Sequence, residues 1–225
     1  MNKILTTLLF TVFATLPISL QAQKNKDWTP TGVWPFINQQ FRAATVYTGV
    51  FNRSKTVVPC NIHVGSQTLW YNQNDTLMEA IPGSVVRVEF PNGDRYMPVG
   101  NNQFGLIVKE DSIDGTIARI ILVRALDQNA LDQKYVDHLT KSQSIYSEIS
   151  DAEAGKKMEE EPLPLVNVFY FQVRSEIFQA TSKNILTRIN PKRKKEFRTF
   201  RREAEIISTN ESSMLKIWNE YFLKY

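Results

Sequence analysis

The chain reads as an α+β protein: an antiparallel β-rich body, built as a sheet, a sandwich or a small barrel, followed by a C-terminal strand and short helices. Three observations carry this. Between residues 41 and 126, short stretches alternate apolar and polar side chains and are separated by Gly, Asn and Asp turn clusters, with no helical period between them. Residues 165–173, Leu-Val-Asn-Val-Phe-Tyr-Phe-Gln-Val, form one apolar run rich in branched and aromatic side chains, the signature of a buried strand. From residue 177 onward, apolar side chains recur at helical spacing.

Residues 1–22 have the layout of a secretory signal peptide. Lys3 supplies a positive start. Ile4, Leu5, Leu8, Leu9, Phe10, Val12, Phe13 and Leu16 make an apolar run too short to span a bilayer, and Leu20-Gln21-Ala22 ends it on a small residue. The expectation is export, to the periplasm or outer surface of a bacterium, with cleavage after Ala22. Residues 23–40 carry Trp28, Trp34 and Phe36 among Pro30, Gly32 and Pro35. Proline at that density excludes a helix and predicts an extended arm that lays its aromatics on the body.

Within the β-rich domain, 41–126, the stretch 41–51 carries Val46, Tyr47, Val50 and Phe51. Ile62 and Val64 alternate with polar neighbours, and Leu69-Trp70-Tyr71 follows a Gly65-Ser66 turn. Residues 84–90 place Val86, Val88 and Phe90 on one face and Arg87 and Glu89 on the other. Asn92-Gly93 and Asp114-Gly115 accept the positive φ angles that tight hairpins need. They set strands at 95–99, 104–108 and 116–123.

Residues 127–163 read as a polar helical segment and an acidic linker. Leu131, Tyr135, His138 and Leu139 fall on one helix face, and Glu159-Glu160-Glu161 precedes Pro162 and Pro164. The C-terminal region, 164–225, opens with the 165–173 strand, which could add to the first sheet. Ile177, Thr181, Ile185 and Ile189 predict a helical stripe. Asn190-Pro191 restarts a helix, with Asn as cap and Pro at its first position. Phe197, Phe200, Ala204 and Ile207 form its apolar face. Ser208 and Glu211 have capping-box spacing before Met214, Leu215, Trp218, Phe222 and Tyr225.

Composition is that of a globular protein, 42% hydrophobic and 22% charged with a net charge of +4. The expected export argues against cytosolic NTP-driven chemistry and against nucleic acid as a partner. Cys60 is the only cysteine, so no internal disulfide forms and the thiol is expected in the core. With His63 or His138 it would make a nucleophile pair or a zinc site only if the fold gathered them; in an extended segment Cys60 and His63 point to opposite faces. No cofactor motif is present, and none is expected.

One charge anomaly stands out. If Pro191 opens a helix, Lys192, Arg193, Lys194 and Lys195, followed by Arg198, crowd the positive end of its dipole. The free backbone N–H groups and these cations would form an anion site, for a phosphate, an anionic polymer, a lipid headgroup or an acidic protein surface, the alternatives being a solvated face or pairing with Glu159 to Glu161 of the same chain. A second candidate is an aromatic glycan-binding surface made of Trp34, Trp70, Tyr71 and Tyr96. The resulting expectation is an exported non-enzymatic envelope or surface protein that binds a partner or polymer through the basic helix start. The alternative is a glycan-active hydrolase using turn carboxylates among Asp75, Glu79, Asp94, Asp111 and Asp114.

Overall fold

A computed structural model describes residues 28–49, 54–74, 76–100, 102–133 and 161–223. The expected signal peptide, Val50, Phe51, Asp75, Tyr135, His138, Leu139, Glu159, Glu160 and Tyr225 lie outside the described residues.

The described chain is mostly β. Its strands are β1 (Arg42–Thr48), β2 (Ser54–Ile62), β3 (Leu69–Gln73), β4 (Thr76–Glu79), β5 (Val85–Glu89), β6 (Arg95–Gly100), β7 (Gln103–Ile113), β8 (Thr116–Leu126), β9 (Leu165–Val173) and β10 (Glu176–Gln179). They form one 10-stranded sheet in the order β10-β9-β8-β7-β6-β5-β1-β2-β3-β4. All neighbours are antiparallel. The chain meanders outward from β1 to β4, returns to lay β5 against the free side of β1, and meanders on to β10. Thus β9, the apolar run, extends the first sheet by pairing with β8. Three short helices follow: α1 (Ser182–Arg188), α2 (Lys194–Glu203) and α3 (Glu211–Tyr221).

Among sheet, sandwich and barrel, the outcome is a single sheet that curls part-way round. Its curl is held by polar contacts between strands that are not neighbours. Gln67, just before β3, accepts from the Phe104 backbone N–H (2.7 Å) and from Gln103 Nε2 (2.6 Å) at the start of β7, although β2, β1, β5 and β6 lie between. Asn102 adds a hydrogen bond to the Ala80 carbonyl beyond β4. The arm behaves as a strap. Ile37 and Pro35 hydrogen-bond to Ile62 and Val64, the Trp28 indole donates to the Phe36 carbonyl, and Thr31 bridges to Pro162.

One core cluster lies under the arm and the first strands, with Val46, Cys60, Ile62, Leu69, Val88 and Phe104. A second joins Ile120, Phe169, Phe171 and Phe178 to the three helices through Ile185, Phe197, Ile217 and Trp218. Ile121 and Val123 bury the other face of β8 with Val99, so β8 is apolar on both sides. Gly105 is required here: a Cβ at that position would stand 2.5 Å from Ile121 Cγ2 and 3.0 Å from Val123 Cγ2.

Local details depart from the pattern in four places. Val85 is buried rather than Val86, because the β1–β5 ladder shifts register after Tyr47 and flips the alternation. Ile177 sits on β10 rather than on a helix. Arg174 adopts a left-handed φ of 58° that turns the chain tightly back, and Phe178 pairs with Phe171 across the ladder with ring centroids 6.0 Å apart. α2 ends before Ala204 and Ile207, and Ile207 is exposed. Asn210, not Ser208, caps α3, its side chain accepting from the Ser213 N–H. The predicted turns at Asn92-Gly93 and Asp114-Gly115 are present. Asp114 and Gly115 both take positive φ, whereas the Asn92 loop is wider and is closed by the Phe90 N–H donating to the Asp94 carbonyl and the Gly93 N–H to the Phe90 carbonyl.

Candidate functional site

Asn190 and Pro191 do open a helical segment, but its first turn is 3-10, over Pro191–Arg193. Every donor of that turn is occupied. Pro191 has no N–H, the Lys192 N–H is capped by Asn190 Oδ1 (3.0 Å), the Arg193 N–H reaches the Asn190 carbonyl (2.9 Å), and the Lys194 N–H reaches Pro191. The free N–H groups counted on for anion binding are therefore absent from this turn, and only the side chains remain.

Those side chains divide. Arg193 turns inward and is 13% exposed. Its Nε donates to Glu196 (2.9 Å), one terminal nitrogen donates to the Glu220 carbonyl (2.9 Å), and the other reaches the Glu220 carboxylate (3.0 Å). Its guanidinium lies 4.3 Å above the Tyr221 ring. It is a clamp between the start of α2 and the end of α3. Burial, followed by the Glu196 charge, pushes the Tyr221 phenol up to about 12. Lys192, Lys195 and Arg198 are exposed and Lys194 half-exposed; none of the four takes part in an ion pair among the described residues. The opposite side of α2 is spent on packing: Phe197 is buried and stands edge-on to Tyr221, which Phe200 also meets.

Beside Arg193 lies a cleft of about 400 Å³ between the β7–β8 and β9–β10 turns and the helices, within the size range of ligand sites. Ile113, Val173, Phe178 and Phe222 give it apolar walls. Its charges are mutually engaged: Arg174 meets Asp114 (3.3 Å), and Arg188 pairs with Glu176 while its guanidinium covers the Phe178 ring at 4.1 Å.

The four aromatics are each only partly exposed. The Trp34 indole donates to the Asn38 carbonyl, and its ring packs on Phe36 and Phe41. Trp70 packs on Phe36 and His63 and donates to Thr68 Oγ1 (3.1 Å). Tyr71 and Tyr96 belong to the first core cluster, and burial holds the Tyr96 phenol well above its ordinary value.

Of the turn carboxylates, Asp94, Asp111 and Asp114 are engaged. Asp94 accepts from the Asn92 side chain, Asp111 from the Trp218 indole (2.8 Å), and Asp114 faces Arg174; Glu79 is exposed on β4. Cys60 is fully buried, and desolvation pushes its thiol up to about 12. His63 sits instead between Phe36 and Trp70, its Nδ1 accepting from the Ser66 N–H (3.1 Å). Burial lowers its pKa against the pull of Glu79. Cys60 should therefore resist a thiol reagent such as dithionitrobenzoate in the native protein and react at once in denaturant. Rapid labelling of native protein would contradict its placement.

Sequence reasoning missed a charged row across six strands. The Tyr47 hydroxyl donates to Glu89 (2.7 Å), and Arg87 covers the Tyr47 ring at 4.2 Å. Glu89 stands opposite Arg95, which reaches Glu110 (3.4 Å); Arg119 then binds Glu110 (2.6 Å) and Gln172 (2.7 Å). Burial alone would raise the Glu110 pKa, but the Arg119 hydrogen bond and the Arg119 and Arg95 charges outweigh it and hold it low. Glu110 is thus a carboxylate kept ionised, the opposite of a general acid. The signal for this row was the alternate polar positions of β5, but only the strand order shows which row they join. No family model, curated protein or solved structure matches this chain.

Proposed function

We propose that the protein is an exported, non-enzymatic envelope or surface module that binds an anionic partner through the solvent face of α2 and the turn before it. The observation that carries this reading is the division of labour among the cations. Arg193 is committed to the fold, while Lys192, Lys194, Lys195 and Arg198 project from the same segment without carboxylate partners among the described residues. Four unneutralised cations on about two turns repel one another, and an anionic partner relieves that repulsion. The N-terminal leader pattern supports export, and the engagement of Asp94, Asp111 and Asp114 favours binding over hydrolysis.

Dextran sulfate serves as the probe. It should raise the thermal midpoint of the protein at low ionic strength, and the shift should vanish near 0.5 M salt (about a 4 Å screening length). Replacing Lys192, Lys194 and Lys195 by Gln should weaken binding about tenfold or more while leaving stability nearly unchanged, as expected for exposed sites. Binding that is equally tight in that variant would overturn the reading.

A further inference from the structure

We infer that the C-terminal turn of α2 carries a second, more specific element: a groove that docks the protein on a membrane surface of anionic phospholipid headgroups. This rests on the reading of α2 as an anion-binding face and names the partner.

The groove, of about 450 Å³, is lined by Arg198, Arg201, Arg202, Glu205, Ile206 and Ile207. Arg198, Arg201 and Arg202 fall on neighbouring rows of the helix, three and four residues apart, and so converge on one side of it. Arg201 is fixed by donating to Ser182 Oγ (2.6 Å) on α1. Arg198 and Arg202 are exposed and form no ion pair among the described residues. Three guanidiniums against one carboxylate suit phosphate oxygens, which accept bidentate donation.

The apolar side of the groove identifies the partner. α2 closes with the Ile206 N–H reaching back to the Arg201 carbonyl (3.1 Å), and Glu205 is held at a φ of 48°. That hydrogen bond is the Schellman closure, in which glycine is the usual residue at the left-handed position. The closure turns Ile206 onto the helix-side core and sends Ile207 outward, 58% exposed. Both backbone groups of Ile207 are engaged: its N–H donates to Ser213 Oγ (3.2 Å), and its carbonyl accepts from the Asn210 N–H (3.1 Å). An exposed isoleucine on a tied backbone, beside three arginines and in line with Lys194 and Lys195, is the arrangement of an interfacial contact. The cations meet headgroups and the apolar peg meets the acyl boundary. A soluble polyanion would use the arginines and leave Ile207 idle.

The test is co-sedimentation of the full chain with vesicles of neutral phosphatidylcholine or of phosphatidylcholine containing about 30 mol % phosphatidylglycerol. Binding should be specific to the anionic vesicles, and Arg198→Gln with Arg202→Gln should weaken it about twenty-five-fold, about fivefold for each charge. Ile207→Ser should weaken vesicle binding about threefold and leave dextran sulfate binding unchanged. Glu205→Gly should act in the opposite direction: it removes a carboxylate from the groove and relieves the positive φ, so binding tightens about fivefold and the thermal midpoint rises. Anionic vesicles that bind no better than neutral ones, while dextran sulfate still binds, would overturn the membrane assignment and leave the anion-binding reading standing. Failure of both probes would overturn both. An Ile207→Ser variant that binds vesicles as well as the parent would also overturn it, reducing the contact to charge alone.

Discussion

Trp218→Ala is expected to cost about 4 kcal/mol of stability, the largest effect of any single truncation in the helix-side core. The side chain is fully buried. It stands edge-on to Phe171 at 5.1 Å and stacks on Phe222 at 5.6 Å. Its indole N–H donates to Asp111 on β7 (2.8 Å), a residue 107 positions earlier. Removal leaves a large cavity between α3 and the sheet and takes the indole donor from Asp111, which keeps Lys109 (3.5 Å) as a partner. Urea denaturation measures the loss. Trp218→Phe separates the two contributions: it keeps most of the ring packing, so about 1–2 kcal/mol should remain as the cost of the missing hydrogen bond. A loss below about 1 kcal/mol for Trp218→Ala would mean that α3 is not docked as described.

Arg193→Gln is expected to cost about 2 kcal/mol, whereas Lys195→Gln, two positions away in the same basic run, should change stability by less than about 0.5 kcal/mol. Glutamine cannot hold Glu196, the Glu220 carboxylate and the Glu220 carbonyl at once, so the tie between α2 and α3 opens. The Glu196 carboxylate is about half-exposed and recovers hydration, which keeps the loss below that of a fully buried pair. Equal effects for the two variants, read from denaturant midpoints, would show that Arg193 is one more surface cation. The contrast also governs how charge variants are interpreted. A neutralised Arg193 would loosen the helices, so it belongs among the stability variants and not among those that test the proposed anion binding.

Much of the fold was legible because its signals are local. The run at 165–173 reads as a buried strand wherever the rest of the chain lies, since seven of its nine residues are apolar, branched or aromatic and have no better place. Asp114-Gly115 announces its turn because both residues tolerate positive φ, and Asn190-Pro191 announces a helix start because one caps and the other has no N–H to leave unpaired. The misreadings arose where two periods compete over a few residues. Ile177, Thr181, Ile185 and Ile189 fit a helical stripe, yet the ladder between Phe171 and Phe178 claims Ile177 for a strand. Val85 displaced Val86 because a one-residue shift in the β1–β5 register exchanges the two faces.

The site was legible only as a concentration of charge. The run from Lys192 to Lys195 marked the segment on which the anion-binding proposal rests, and the lone thiol of Cys60 lies in the core as its composition suggested. Nothing in the run distinguishes Arg193 from its neighbours. That difference comes from Glu220 and Tyr221, 27 and 28 residues away, which helix packing brings to it. The charged row from Tyr47 to Gln172 was hidden for the same reason. Its members are ordinary outward positions on separate strands until the order of the sheet aligns them.

By itself, the sequence determined the β-rich class, the turns, the apolar run of β9, the amphipathic helices and the location of the surplus positive charge, because each depends on interactions within a few residues. Only the tertiary structure decided that the strands form one curled sheet, that Arg193 is a clamp, and that Ile207 stands exposed beside three arginines. These outcomes depend on contacts between segments far apart in the chain, and period and propensity carry no information about which distant partner a side chain will meet.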